Sequence, residues 1–584
     1  MAKIRYVEIQ HFRGIEGLKW APSEGINCLI GPGDSGKTSV IDAVDACMTV
    51  RRNIEFSDAD FFEVDASKPI VIRVTVGELP DTLMDFDIYG EVLRGFDAEL
   101  GTVVDEPGDG LEVVLTFQLI VDSDLDPRRS LYSTRTESEK YQRQLQWKER
   151  TELAPHRIGN HSSTNLSWTR SSVLVRLSER LAIGSDLVAA AREARRAFGD
   201  KAGANIGQML DLVAKKAKEM GVEVGERAKA LLDVEALSFS DGAIALHSDS
   251  GVPLRNLGTG STRLLLAALH REASSSASCL LVDEVEHGLE PHRVIRLLHS
   301  LGSKDVKPSL QVFMTTHSPV VVRELSGAQL FIMRKGAGGQ HEMKLVSSEN
   351  AVQGVARLYP DAFLARTVIV CEGASEVGLL RGLDRYRVSK GKPSAYAAAT
   401  AFVDAQGRSP EHILERAQVF AKWGFDTKAF LDADVPIPEH AREAAEAVGV
   451  KVCTWGDSLA LEEALFKWLP DYGVDDLIRL AIDLNSEELV DGALEEVSRK
   501  AFNLKTFLDI IDGDAAYEDD ERAILGRAAK LTTRDSKSAP GRKGWFKSIS
   551  KMERVGEAVL GPWLKDAEPA LKQPIVELFY RSDV

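Results

Sequence analysis

Four carboxylates stand in two short segments of this chain. "TVIVCEGASE", residues 367–376, is an apolar run leading into Glu372, with Glu376 four residues on; "AFLDADVP", residues 429–436, is a second apolar run that ends on Asp432 and Asp434. Read as a strand, the second segment turns both aspartates to one face, because alternate strand residues point the same way. The spacing of Glu372 and Glu376 lets both project from the start of one helical turn towards the same spot. Four acids converging from two strand ends repel one another unless divalent cations neutralise them, and hard oxygen ligands of this kind suit magnesium or manganese. Glu372, Glu376, Asp432 and Asp434 are therefore expected metal ligands.

A second constellation lies near the N-terminus. GPGDSGKT, Gly31 to Thr38, follows an apolar run and opens a helix-like one, which is the setting of a phosphate-binding loop. Glycines let backbone N–H groups wrap the phosphates, Lys37 reaches the outer ones, and the Thr38 hydroxyl can ligate magnesium. Gly31, Gly33, Ser35, Gly36, Lys37, Thr38 and Ser39 are the expected contacts, with ATP and Mg2+ as cofactors. Further on, "SCLLVDEVEHGLEPH" ends an apolar run on Asp283 and Glu284. The aspartate can hold magnesium through water, and Glu284 can orient or activate an attacking water.

Two series of short strands and helices must carry these residues. The first alternates from the N-terminus to about residue 125 and resumes with "SCLLVDE" and "LQVFMTTHS"; between them "LVAAAREARRAFG" and "IGQMLDLVAKKAKEMG" have helical spacing and predict an inserted helical arm. The second starts near Arg366, with "TVIVCEG", "AAATAFVDA" and "TKAFLDAD" as strands, and the chain reads as mostly helical after about residue 470. The class is α/β.

Composition sets the outer bounds. At 584 residues the chain is long enough for roughly four structural units. No stretch approaches the roughly 20 apolar residues of a membrane span, and the N-terminus carries no export pattern, so a cytoplasmic protein without a membrane partner is expected. Five cysteines occur singly, four in strand-like runs and Cys47 in a helical one, which reads as buried thiols in a reducing compartment. A net charge of −17 opposes wholesale coating of nucleic acid. A local basic surface is nevertheless expected between Arg522 and Arg554, from Arg527, Lys530, Arg534, Lys537, Arg542, Lys543, Lys547 and Lys551.

On these motifs the first half resembles ABC-type ATPases of the chromosome-maintenance and recombination branch. The resemblance implies that Arg13 in "IQHFRGIEG" touches nucleotide. It makes "NLGTGSTRLLLAAL" the signature segment, with Gly260 and Ser261 facing the γ-phosphate bound by a partner subunit, "GLEP" a dimer-contact loop, and His317 in "FMTTHSP" the switch histidine. No glutamine loop can be assigned, because Gln118 in "LTFQL" sits inside a strand-like run. Strand-EG-xx-E followed by strand-DxD resembles the Toprim fold. That implies Glu372 for metal and acid-base work, with Glu462 in "SLALEEALF" an added ligand and Glu463 the alternative.

An ABC-type ATPase joined to a Toprim unit resembles the OLD (overcoming lysogenisation defect) nucleases, which include Gabija and retron-associated anti-phage effectors. The expected plan is ATPase over 1–170 and 236–362, a helical arm or dimerisation insertion over 171–235, a Toprim core over 363–470, and a helical extension over 471–584. The resemblance further implies a late catalytic lysine in "GRKGWFKSISK", Lys547 first and Lys543 second, and two Mg2+ or Mn2+ ions. The expected activity is ATP-dependent, metal-dependent DNA cleavage by a homodimer or larger homo-oligomer. A helicase, or a reverse transcriptase with its noncoding RNA, is the expected kind of defence partner. The rivals are a non-cleaving ATP-driven DNA clamp and a topoisomerase, which would need a tyrosine nucleophile.

Overall fold

The computed structural model describes residues 2–50, 54–136, 143–159, 193, 208–212, 215, 246–249, 251, 253–272, 279–336, 339–346, 350–532 and 544–579. The helical arm expected over 171–235 lies outside the described residues save for short helical pieces at 193, 208–212 and 215, and Lys543 lies outside them altogether. Among the described residues no helix is long and apolar enough to cross a membrane. The chain divides into two compact units, Met1–Cys28 with Thr38–Thr316, and Leu29–Lys37 with His317–Val584.

The first unit is built on antiparallel strands whose alternation matches their burial. Strand β1 (Lys3–Phe12) pairs with β2 (Ile15–Trp20), and the chain then runs through β3 (Ile26–Ile30) and helix α1 (Lys37–Met48) to β4 (Ile70–Gly77), which pairs β1 on its other side. Val7 faces Val74 and Ile9 faces Ile72, all fully buried. The meander continues through β5 (Leu93–Asp97), β6 (Thr102–Val104), β7 (Glu112–Val121) and β8 (Pro127–Tyr132). Gln118 is buried within β7 and accepts from Arg73 Nε at 2.8 Å, so it serves the sheet.

A parallel group follows, with β9 (His156–Ile158) beside β10 (Cys279–Val282) beside β11 (Gln311–Thr315). All four residues of β10 and all five of β11 are buried, the pattern of strands covered on both faces. Helices α2 (Thr259–Glu272) and α3 (Pro291–Ser300) belong to the same unit.

In the second unit a hairpin, β12 (Leu330–Lys335) and β13 (His341–Leu345), precedes a parallel sheet. The sheet order is β15 (Thr400–Asp404), β14 (Thr367–Cys371), β16 (Asp426–Phe430), β17 (Lys451–Cys453). The chain passes from β14 to β15 on one side and then returns to β16 on the other. The carboxyl ends of β14 and β16 therefore flank a topological switch point, the place where open α/β sheets bind ligands. Arg334 on β12 fastens the hairpin to the opposite ends of these strands. Its guanidinium donates to Ala365 O and Gly424 O, each at 3.0 Å, and lies 3.7 Å over the Phe425 ring. Burial pulls its pKa down to about 10.

Helix α4 (Ala374–Ser389) leaves β14, α5 (Pro410–Lys422) leads into β16, α6 (Glu439–Ala447) leads into β17, and α7 (Leu461–Trp468) follows it. Among the described residues from Asp471 to Phe579 every regular element is helical, including α8 (Asp519–Lys530) and α9 (Ile549–Val555). One continuous apolar core joins sheet and helices, taking in Ile369, Leu379, Phe430, Leu465, Phe507, Leu525 and Phe546. Trp545 and Phe546 are core residues, Trp545 edge-on to Phe466 at 6.0 Å.

Two glycines let α4 lie against α9. A Cβ at Gly378 would meet Ile549 O at 2.5 Å, and one at Gly382 would meet Glu553 O at 1.9 Å. Backbone atoms cannot swing aside as side-chain ends do. Gly382→Ala is thus expected to destabilise this unit by about 1–3 kcal/mol, read as a lower denaturant midpoint with unchanged slope.

Candidate functional site

The carboxylates meet at the switch point. Glu372 extends the β14 ladder by one residue, its N–H donating to Phe430 O at 3.0 Å and its carbonyl accepting from Gly407 N at 2.8 Å. Its Oε2 accepts the Asp432 N–H at 3.0 Å, so one acid orients the loop that carries the next. Oxygens of Glu372, Asp432 and Asp434 all lie within 4.8 Å of one another. Asp432 Oδ2 accepts from Leu461 N, the first amide of α7, at 3.2 Å, where a helix N-terminus favours negative charge. Asp432 Oδ1 is buried with no hydrogen-bond partner.

The route differs from the alternation argument. Strand β16 stops at Phe430, so Asp432 and Asp434 lie in the loop beyond it. What directs Asp432 into the site is the pair of bonds to Glu372 and Leu461, rather than a shared strand face.

Glu376 stands in the first turn of α4, where its Oε2 accepts the Gly373 N–H at 2.7 Å. Glu462, in the first turn of α7, has no exposed surface and pairs with Lys547, Oε1 to Nζ 3.2 Å. Its neighbour Glu463 turns elsewhere. Glu463 Oε2 accepts from Ala460 N at 3.0 Å and from Lys530 Nζ at 3.3 Å, and Lys530 also donates to Asp434 Oδ2 at 3.0 Å. Lys530 and Lys547, both counted in the expected basic surface and Lys547 also as the expected late catalytic lysine, thus both face acids. Burial alone would lower each ammonium's pKa, yet the acids outweigh it and both are raised.

Burial and like charge dominate the acids. Glu372 is raised by burial and by Asp434, and Asp432 well raised by burial and then by Glu376, Glu372 and Glu462. Glu376 is pushed up to about 7, first by burial and then by Glu462 and Glu372. Such a cluster can hold protons or a hard cation, and the unpartnered Asp432 oxygen fits a cation with room for an oxygen ligand.

The proton alternative has a stability signature. With a folded pKa near 7 against an ordinary value of 4.5, folded protein holds the extra proton across that window, so this contribution to stability falls as pH rises through it. In EDTA, Glu376→Gln is expected to flatten that part of the melting-temperature profile between about pH 5 and 8.

The phosphate-loop segment is equally ordered. Gly31 has φ 143° and Gly36 φ 89°, conformations that favour glycine; a Cβ at Gly31 would also meet Met333 O at 2.7 Å. Lys37 is buried and its Nζ donates to Gly31 O at 3.1 Å, Pro32 O at 2.8 Å and Ser35 Oγ at 3.2 Å. Gly33 is exposed, and Ser39 lies in the first turn of α1.

In the first unit, Thr38 Oγ1 donates to Asp283 Oδ1 at 3.1 Å, Thr315 Oγ1 donates to the same oxygen at 2.6 Å, and Glu284 N donates to Thr315 Oγ1 at 2.8 Å. The threonine and aspartate expected to share magnesium are already in contact. Arg157 on β9 was not foreseen. It bridges Asp42 at 2.7 Å, Asp45 at 3.4 Å and Asp283 at 3.9 Å. Arg13 pairs with Asp42 and Asp60, and Arg263 donates to Glu284 O. Gly260 packs so tightly that a Cβ would sit 2.2 Å from Gly288 O, and Ser261 Oγ accepts from Arg293 at 3.2 Å. His317 is exposed, two residues beyond β11.

Residues 26–323, just over half of the chain, match the model of the family described as "AAA domain, putative AbiEii toxin, Type IV TA system". The chain belongs to this family. It is an ATP-binding P-loop ATPase of the ABC type, and the matched span holds Gly31–Thr38, Ser261, Asp283–Glu284 and His317. Curated relatives include DNA replication and repair protein RecF of Chlorobium limicola, 28% identical over 114 residues, 17% of this chain and 31% of that protein. RecF of Chlorobium luteolum is 40% identical over 45 residues, 8% of this chain and 12% of that protein. The chain thus spans less than a third of the length of these relatives.

Among solved structures, the Smc head bound to the C-terminal winged-helix domain of ScpA is 13% identical with a TM-score of 0.34, over 60% of this chain and 99% of that one. The recombination mediator RecF with a bound ATP analogue is 12% identical with a TM-score of 0.29, over 59% and 98%.

Proposed function

We propose that this ATPase is an ATP-regulated, divalent-metal-dependent DNA endonuclease in which residues 363–470 are a Toprim nuclease core of the OLD type, completed by the helical extension over 471–584. The observation that carries the reading is the meeting of Glu372, Asp432 and Asp434 oxygens within 4.8 Å at the switch point, with a buried Asp432 oxygen left without a partner. Glu372, Glu376, Asp432, Asp434 and Glu462 would hold the cations, and Thr38 and Asp283 the nucleotide's magnesium. When bound, a pair of divalent ions supplies an activated water and a stabilised leaving oxygen.

The chain's own groups complete the site. Glu372 orients the Asp432 loop and, with its raised pKa, is suited to take a proton from attacking water. Lys547 lies beside Glu462 and would steady the charge on a pentacovalent phosphate. Of the later tyrosines, Tyr517 is buried with its hydroxyl on Asp475, and Tyr472 stacks on Trp563. Two neighbouring residues of β12 support a link to nucleotide. Met333 O lies against Gly31 of the phosphate loop, and Arg334 is fastened to the residues leading into β14 and β16. DNA as substrate, a homodimer and a role in anti-phage defence come from the resemblance, with RecF, named for DNA replication and repair, in keeping.

The test is cleavage of supercoiled plasmid by the full chain with Mg2+ or Mn2+, with and without ATP, and with EDTA. Nicked or linear product that requires the divalent ion is expected. Intact plasmid with every ion, alongside ATP-dependent DNA retention, would replace the nuclease with a clamp.

A further inference from the structure

We infer that Lys530 is a resident counter-ion that closes the Asp434 side of the carboxylate cluster to a second divalent cation until a phosphate group draws it away. The inference rests on the divalent-cation reading of the cluster. Lys530 Nζ lies 3.0 Å from Asp434 Oδ2 and 3.3 Å from Glu463 Oε2, so it sits between two acids that would otherwise be open to a metal. Its position is built into the fold. Gly526, one turn earlier on α8, lets that helix approach α7 until a Cβ there would lie 2.8 Å from Glu463 Cα; residues four apart share a helix face.

Lys547, also among the described residues, is committed elsewhere, since it pairs with Glu462. Each side of the cluster therefore has its own lysine, while the middle has a buried Asp432 oxygen with no partner. A first cation enters at Glu372 and Asp432, where among the described residues no ammonium is hydrogen-bonded to the carboxylate oxygens. A second, needing Asp434, meets a positive charge at hydrogen-bond distance and is repelled. Lysine is a compact charge on a flexible stem, and a phosphodiester offers it an anion in exchange for Asp434. Substrate then admits the second ion, and by reciprocity the second ion tightens substrate binding. A site wired in this way stays half-loaded when no nucleic acid is present.

The test is Mn2+ binding to the full chain without nucleotide or DNA, read by electron paramagnetic resonance, with Asp432→Asn as the blank for ions held elsewhere. Wild type is expected to bind one ion above the blank. Lys530→Met, which keeps the stem and loses the charge, is expected to bind two, the second at least about tenfold tighter than in wild type. Lys530→Arg, which keeps the charge, is expected to behave as wild type, and thermal melting shows that each variant is folded. Equal stoichiometry and affinity in wild type and Lys530→Met would overturn the role of Lys530 alone. No Mn2+ above the blank in wild type would instead overturn the divalent-cation reading on which it rests.

Discussion

Asp432→Ala lowers metal-dependent plasmid cleavage by about three orders of magnitude or more and leaves ATP hydrolysis in place. Asp432 is 7% exposed, donates its N–H to Glu372, accepts from Leu461 N at Oδ2, and presents Oδ1 with no hydrogen-bond partner. A bound metal supplies several kcal/mol of charge stabilisation in phosphoryl chemistry, and each 1.36 kcal/mol is about tenfold in rate. The substitution has a second signature that separates it from misfolding. Asp432 sits among Glu372, Glu376 and Glu462, whose like charges disfavour its ionised form. Asp432→Asn keeps an acceptor for Leu461 N and carries no charge into the cluster, so it should melt in EDTA at a temperature no lower than wild type. Added Mn2+ should raise the melting temperature of wild type and leave the variant unmoved.

Lys37→Ala reduces ATP hydrolysis by about 100-fold or more, the usual scale for losing one preorganised group at a developing charge. Lys37 Nζ donates to Gly31 O, Pro32 O and Ser35 Oγ, acceptors that keep a buried ammonium paired at the phosphate-loop mouth. Nucleotide phosphates offer a stronger, charged acceptor. The Thr38 and Asp283 contact does not involve Lys37, so the variant should keep its fold. Nucleotide-independent cleavage should persist in Lys37→Ala, while any change that ATP makes to cleavage in wild type should disappear. The pair of substitutions thus separates two chemistries, measured by phosphate release in one assay and plasmid topology in the other.

Much of this arrangement can be read from local patterns. The apolar runs ending at Cys279–Val282, Thr367–Cys371 and Asp426–Phe430 are strands, and Asp283, Glu372 and Asp432 stand just past their ends. The five cysteines fall on four strands and one helix, all buried. Burial and strand length are local properties, which periodicity reports. The failures are long-range. Alternation placed Asp432 and Asp434 on a strand, whereas a hydrogen bond to Glu372, 60 positions earlier, and one from Leu461, 29 later, orient the Asp432 loop.

Lys530 reads as one member of a basic run, and its partner Asp434 lies 96 residues away. Arg334 has no sequence signature at all, because its acceptors are backbone carbonyls supplied 31 and 90 residues later. Arg157 likewise becomes meaningful only when β9 is placed beside β10. Strand order is set by crossover connections and carries no local pattern, so the switch point that gathers the acids is visible only in the fold.

The most direct measurement is anomalous X-ray diffraction from crystals of the full chain grown with Mn2+. The account predicts an anomalous peak bonded to oxygens of Glu372 and Asp432, absent in crystals of Asp432→Asn. A cluster free of anomalous density at saturating Mn2+, with Glu372, Asp432 and Asp434 holding protons instead, would contradict it.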